Sequence, residues 1–124
     1  ITGVGDVLKS LNSSTKVIAV EPETCAVLSG KEPGPHRIQG IGAGFIPNVL
    51  NLDLIDEIKM VSDQNAYDFS KALSKEEGIL AGISSGASTC VALSIASQMS
   101  KEENVVVMLP DSAERYYSLE PYFG

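Results

Sequence analysis

A chain of 124 residues, 44% of them hydrophobic, holds one domain at most, with enough apolar material for a core and too much of it for global disorder. Its net charge of −7 excludes nucleic acid or an anionic membrane as the expected partner, because both require clustered Lys and Arg; the acidity serves solubility. Two distant cysteines (Cys25 and Cys90), a lone histidine and no apolar run of membrane-spanning length leave no metal site and no membrane segment to expect, and they point to a reducing compartment, the cytoplasm or an organelle interior.

In chain order, Ile1, Val4, Val7, Leu8 and Leu11 recur at helical spacing and predict an amphipathic helix that begins with no turn before it. Residues 16–20 form a short apolar run stopped by Glu21-Pro22 and read as a buried strand. A helical turn is expected over 23–28. From Ser29 to Pro47 the density of Gly and Pro predicts a long loop, and long loops inside compact domains are usually functional. His36 lies in it after Gly-Pro and reads as a loop residue rather than a catalytic base. A second strand is expected over 55–61. Ser62 is a good N-cap for a helix running to about Glu77, with Gly78 at its C-terminal position. Ile79-Leu80-Ala81 predicts a very short strand, and a second long helix follows to about Ser100, its apolar stripe being Ala87, Val91, Ala92, Ile95 and Ala96. Residues 104–109, rich in β-branched side chains and stopped by Pro110-Asp111-Ser112, read as the clearest strand of all. Strands alternating with helices predict an α/β fold.

Two runs carry the chemical information. In Gly40-Ile41-Gly42-Ala43-Gly44, three glycines within five residues let backbone approach a ligand closely, since no Cβ intervenes. Gly82-Ile83-Ser84-Ser85-Gly86 places hydroxyls and free N–H groups where a strand gives way to a helix. The two runs suit opposite walls of one small-molecule site; ligands of open α/β sheets sit beyond the carboxyl ends of the strands, and Gly82–Gly86 and Pro110–Ser112, each following an expected strand, can both lie at that edge. Each run alone also suits a simpler role, the serines as a helix cap and the glycines as a tight turn. No Gly-x-Gly-x-x-Gly follows a strand, which weighs against a dinucleotide-binding domain. A hydroxyl such as that of Ser84 would hydrogen-bond an unprotonated heteroaromatic nitrogen, where a carboxylate would hold it protonated. A ring so bound withdraws fewer electrons, which suits elimination and replacement at Cβ better than transamination. The residues alone do not name the ring.

The runs Val20-Glu21-Pro22, Gly34-Pro35-His36-Arg37-Ile38-Gln39-Gly40-Ile41-Gly42-Ala43-Gly44-Phe45-Ile46-Pro47, Glu77-Gly78-Ile79-Leu80-Ala81-Gly82-Ile83-Ser84-Ser85-Gly86-Ala87 and Leu109-Pro110-Asp111-Ser112-Ala113-Glu114-Arg115-Tyr116 together resemble the cysteine synthases (O-acetylserine sulfhydrylases), in that family's order. The resemblance covers nearly the whole chain. Cystathionine β-synthases share the fold but usually carry bulkier, acidic residues between the Gly-Ile-Gly and Phe-Ile-Pro parts, so Gly42-Ala43-Gly44 favours cysteine synthase.

The resemblance implies a fold-type-II, tryptophan synthase β-like enzyme that uses pyridoxal 5'-phosphate (PLP). Residues 1–124 would form the C-terminal part of its large domain, a portion of a three-layer sandwich with a mostly parallel sheet. The parent enzyme would replace the acetate of O-acetylserine with sulfide to give L-cysteine. Ser84 would bind the pyridine nitrogen, and Gly40, Gly42 and Ala43 would line the substrate side. It further implies a homodimer and a cleft that accepts the C-terminal tail of serine acetyltransferase. The family's Schiff-base lysine, and its Asn- and Thr-rich substrate loop, belong to a stretch preceding Ile1, and its phosphate cradle ends just before an Ile-Thr-Gly like Ile1-Thr2-Gly3. None of Lys9, Lys16, Lys31, Lys59, Lys71, Lys75 and Lys101 stands in the catalytic context, so no catalytic residue is assigned here. The isolated chain is therefore expected to be inactive, with sheet edges left open. Ala113 replaces the family's usual Gly. A non-catalytic module keeping the cleft wall for a peptide tail, and cystathionine β-synthase or dehydratase chemistry on the same fold, are the alternatives.

Overall fold

The computed structural model describes residues 1–122. Helix α1 (Thr2–Leu11) leads to strand β1 (Ile18–Pro22), and an irregular crossover with a 3₁₀ turn at Leu52–Leu54 returns the chain to β2 (Glu57–Val61). Helices α2 (Asp63–Glu76) and α3 (Ile83–Ala96) follow, and a 3₁₀ helix over Ala113–Tyr122 closes the described chain. β1 and β2 pair in parallel, Ile18 opposite Glu57 and Pro22 opposite Val61. The class is α/β, as expected.

The core lies between this sheet and the pair α2–α3. Ile38, Val61, Ala66, Ile83, Ala87 and Val91 form one cluster, with Ile18 and Val20 packed against it. Strand side chains alternate in direction, so Val17 and Ala19 face the other way. There Val17 meets Gly5 of α1, where an added Cβ would lie 3.3 Å from a Val17 methyl. Helices thus flank both faces of the sheet. Asp56 fastens α1 to it, receiving Lys9 at 2.8 Å, Lys16 at 3.8 Å and the N–H of Val17 at 2.7 Å. The Lys9 hydrogen bond, helped by the Val17 N–H, holds the Asp56 carboxyl below its ordinary pKa.

Helix α2 starts and stops where its sequence says. The Ser62 hydroxyl accepts the N–H of Asn65 at 3.2 Å, and Gly78 takes φ 69°, the left-handed turn that ends the helix. α2 and α3 approach closely because Gly86 has no side chain: a Cβ there would strike the Ala66 carbonyl and come within 2.5 Å of the Ser70 nitrogen. The Ser70 hydroxyl, itself buried, donates to the Ala81 carbonyl at 2.7 Å.

Several expectations change. Residues 104–109 carry no regular secondary structure and join no ladder; Val106 is 87% and Met108 69% exposed. A β-branched run becomes a strand only when a neighbour takes its backbone groups, and no described segment pairs with it. Residues 79–81 shrink to one antiparallel bridge, Ala81 to Ser112. β1 runs through Glu21 and Pro22 instead of stopping before them.

Residues 23–28 form successive hydrogen-bonded turns rather than a helix. The buried Glu21 carboxylate takes the N–H groups of Leu28 (2.9 Å) and Ser29 (3.0 Å) and the Ser29 hydroxyl (2.5 Å), holding that shape. α3 ends at Ala96, short of Ser100, as its last turn tightens, with the Gln98 N–H bonding the Ile95 carbonyl. The helical spacing of α1 is right, but Val4, Val7, Leu8 and Leu11 are exposed and only Gly5 is buried.

Candidate functional site

The loop after the β1 turns folds back over the carboxyl ends of both strands. The Glu23 N–H bonds the carbonyl of Val61, the last residue of β2, and the Arg37 N–H bonds Asp63, the first residue of α2, at 2.8 Å. Ile38 is fully buried and carries the loop into the core. Gly42 adopts φ 64°, and a Cβ there would lie 2.6 Å from His36 Nε2 and 2.7 Å from Pro22 Cγ, so only glycine fits. Its carbonyl accepts from His36 Nε2 at 2.8 Å and from the Cys25 thiol at 3.5 Å. His36 is a loop-holding residue, as its sequence context suggests.

The second wall is the first turns of α3. Ile83, Ser84, Ser85 and Gly86 are all buried. Gly82 caps the helix without a side-chain hydrogen bond, so the free N–H groups and partial positive charge of that helix end are kept. The corner at 110–116 fixes its pitch. Gly82 N–H bonds the Asp111 carbonyl at 2.9 Å and Ala113 N–H bonds that of Leu80 at 3.3 Å. The Asp111 carboxylate accepts from the Tyr116 hydroxyl and leans on Gly82, where a Cβ would collide with it. That hydrogen bond and burial raise the Tyr116 pKa.

Between the walls lies a cleft of about 400 Å³ lined by Gly40, Ile41, Ser84, Ser88, Met108, Pro110 and Asp111. Gly40 and Ser84 face each other closely: a Cβ on Gly40, whose φ is 92°, would sit 3.8 Å from Ser84 Oγ. Two of the four residues singled out from sequence, Ser84 and Gly40, line the cleft together. Gly42 supports the loop from behind, against His36 and Pro22, and Ala43 is exposed; neither lines the cleft. Pro110 and Asp111, from the run expected at the ligand edge, also line it, whereas Ser88 and Met108 lie outside the runs that the sequence singles out. Ser88 alone had a local signal, standing four residues after Ser84 and so on the same helix face.

The arrangement suits a flat, polar-edged cofactor. Its volume is in the range of small-molecule pockets. Its walls offer a neutral hydroxyl on a helix start with no side-chain cap, and a glycine backbone. Asp111 Oδ1 and Ser85 Oγ are buried with no hydrogen-bond partner among the described residues, leaving polar capacity beside the cleft. No lining residue is a lysine. Lys9 and Lys16 are paired with Asp56, Lys59 with Glu57, and Lys71 lies 5.2 Å from the Tyr67 ring centroid. The described residues hold no cluster suited to a metal ion and no helix long and apolar enough to cross a membrane, and both cysteines are free.

Comparison with known proteins agrees with this geometry. The family model described as pyridoxal-phosphate dependent enzyme matches residues 1–111. A cysteine synthase of Staphylococcus aureus is 48% identical over 122 residues, which are 98% of this chain and 39% of that protein. The crystal structure of cysteine synthase from Entamoeba histolytica superposes with a TM-score of 0.91 at 43% identity, covering 97% of this chain and 36% of that one. An O-acetylserine dependent cystathionine β-synthase from Helicobacter pylori gives a TM-score of 0.84 at 39% identity, over 94% of this chain and 38% of that one. The chain therefore spans about 39% of the curated relatives it matches.

Proposed function

The chain belongs to the pyridoxal-phosphate dependent enzymes, and we propose that it forms the pyridine-side and substrate-side walls of a cysteine synthase site. The observation that carries this reading is the single cleft in which Gly40 and Ser84 face each other. PLP, when bound, supplies the electron sink for replacing the acetate of O-acetylserine by sulfide. Ser84 would donate its hydroxyl proton to the pyridine nitrogen; being neutral, it leaves that nitrogen unprotonated. The helix start behind it favours electron density at that edge of the ring. Gly40 shapes the opposite wall, where any side chain would narrow the gap to Ser84. Gly42 acts from behind, by holding the arch of the loop, and Ala43 stays exposed beside it.

The activated lysine that such chemistry needs does not line this cleft, so catalysis requires a lysine-bearing segment in addition to these residues. The apolar face of α1 and the unpaired 104–109 run are surfaces for that segment to cover. The assembled enzyme would be a cytoplasmic homodimer whose cleft also admits the tail of serine acetyltransferase.

The test is co-expression of this chain with the lysine-bearing remainder of a homologous cysteine synthase. Borohydride reduction and denaturing mass measurement should place the pyridoxyl adduct on the other polypeptide, with sulfide-dependent cysteine formation only in the mixture. An adduct on this chain, or cysteine made by this chain alone, overturns the reading. Ser84→Ala should shift the bound cofactor's absorbance and lower turnover, while Ser84→Asp should lower it further by protonating the ring. Use of homocysteine in place of sulfide by the mixture would move the assignment to cystathionine β-synthase chemistry.

A further inference from the structure

His36 is tied by both ring nitrogens, and the two ties fix its chemical form. The Ile38 N–H donates to Nδ1 at 3.2 Å, so Nδ1 carries a lone pair. The Gly42 carbonyl, which can only accept, lies 2.8 Å from Nε2, so Nε2 carries the proton. Ile38 and Gly42 are the two feet of a short arch whose middle residues, Gly40 and Ile41, line the cleft. One imidazole therefore closes the arch. The ring bridges two feet of different kinds: the Ile38 side chain is wholly buried, and Gly42 stands at φ 64° beside Pro22, its carbonyl shared with the Cys25 thiol.

We infer that His36 is a positioning residue: as the Nε2–H tautomer it staples the arch carrying the Gly40–Ile41 wall, and protonation at Nδ1 releases that wall. A proton on Nδ1 would point an N–H at the Ile38 N–H, turning one of the two ties from attraction to repulsion. The ring must then leave its seat, and Gly40 and Ile41 lose their fixed distance to Ser84. Ionisable groups near the ring include the Cys25 thiol, which shares the Gly42 carbonyl, Arg37 beside it in the chain, and Asp63 of α2, which accepts the Arg37 N–H. None of these offers a described carboxylate contact to the ring that would stabilise its cation in place. The staple is read from the loop alone; that the wall it holds faces a cofactor rests on the proposed function.

The chain contains one histidine, so its imidazole nitrogen-15 signals are assigned without ambiguity. At neutral pH they should report a lone-pair Nδ1 and a protonated Nε2. On acidification the amide signals of Ile38, Gly40 and Gly42 should move with the same midpoint as the ring. His36→Gln, which keeps a donor for the Gly42 carbonyl and does not titrate, should abolish that pH dependence. In His36→Phe, exchange of the Ile38 N–H should rise about tenfold, the effect of losing one net hydrogen bond. An Nδ1–H tautomer, or loop amides indifferent to the ring's titration, overturns the inference, and both are read on the unmodified chain even if a variant fails to fold. Failure of the lysine-complemented protein to bind PLP would refute the proposed function and leave the staple standing.

Discussion

Gly86→Ala isolates the contact on which the Ser84 wall depends. Alanine is favoured over glycine inside a helix by about 1 kcal/mol, so a helix judged by propensity alone should gain stability. The structure predicts the opposite sign. The new Cβ meets the Ala66 carbonyl and lies 2.5 Å from the Ser70 nitrogen, both main-chain atoms of α2 that no rotamer change can move. Overpacking of this kind costs about 1–3 kcal/mol, here at the upper end, because whole helices must separate. The net loss is about 1–2 kcal/mol, which for a domain of this size lowers Tm by roughly 3–8 °C. The assay is thermal unfolding followed by helical circular dichroism, with Gly3→Ala as the control. Gly3 also lies in a helix, α1, but an added Cβ there meets nothing within 4 Å, so alanine should raise Tm by a degree or two, from about 0.5 kcal/mol. If both substitutions shift Tm upward together, propensity rather than the α2–α3 contact governs, and the packing argument fails.

Two further outcomes follow from titrating groups. The folded-state pKa of Asp56 lies below its ordinary 3.8, so its stabilising effect is complete above that value and is lost as pH falls through the lowered one. Asp56→Asn should therefore flatten the fall of Tm with acidification below about pH 4, and an unchanged slope would show that the Lys9 bridge has no such role. Tyr116 has a raised pKa, so its contribution is complete below its ordinary value of 10.0 and is lost as pH climbs through the raised one. Ultraviolet titration, with Tyr116→Phe as the subtraction blank, should find this phenol ionising above its ordinary value of 10.0 and Asp111→Asn bringing it earlier; equal ionisation in both would break the assigned pair.

What was legible in the sequence was local. Ser62 and Gly78 bracket α2 because a cap and a left-handed glycine act within a turn of themselves, and β1 and β2 announce themselves as apolar runs. The two glycine-bearing runs meet in one cleft because the loop after β1 folds back over the carboxyl ends of the strands, where the start of α3 also lies, and ligand sites gather at that edge. What the sequence concealed was non-local. Residues 104–109 have the composition of a strand, but pairing is a property of the neighbour. The stripe of α1 has helical spacing, but the spacing does not say what covers it. Glu21 looks like a strand terminator, whereas its buried carboxylate organises the turn at 28–29. Met108 reaches the cleft only through the packing of the chain's last third.

The two walls of the cleft share one apolar core and differ in the polar ties added to it. Ser84 is positioned by apolar packing: Ile83 and Ala87, on either side of it, belong to the same core cluster as Ala66 and Val61. The Gly40–Ile41 wall adds polar ties to packing: Ile41 lies against the same core cluster, while His36 bonds Gly42 and Ile38, Cys25 bonds Gly42 and Asp63 bonds Arg37. Ile38 joins the two systems, its side chain in the core cluster and its N–H on the imidazole. Truncating a core residue such as Ala87's neighbour Val91 should then disturb both walls through Ile38, whereas altering His36 should move the glycine wall and leave the Ser84 helix in place.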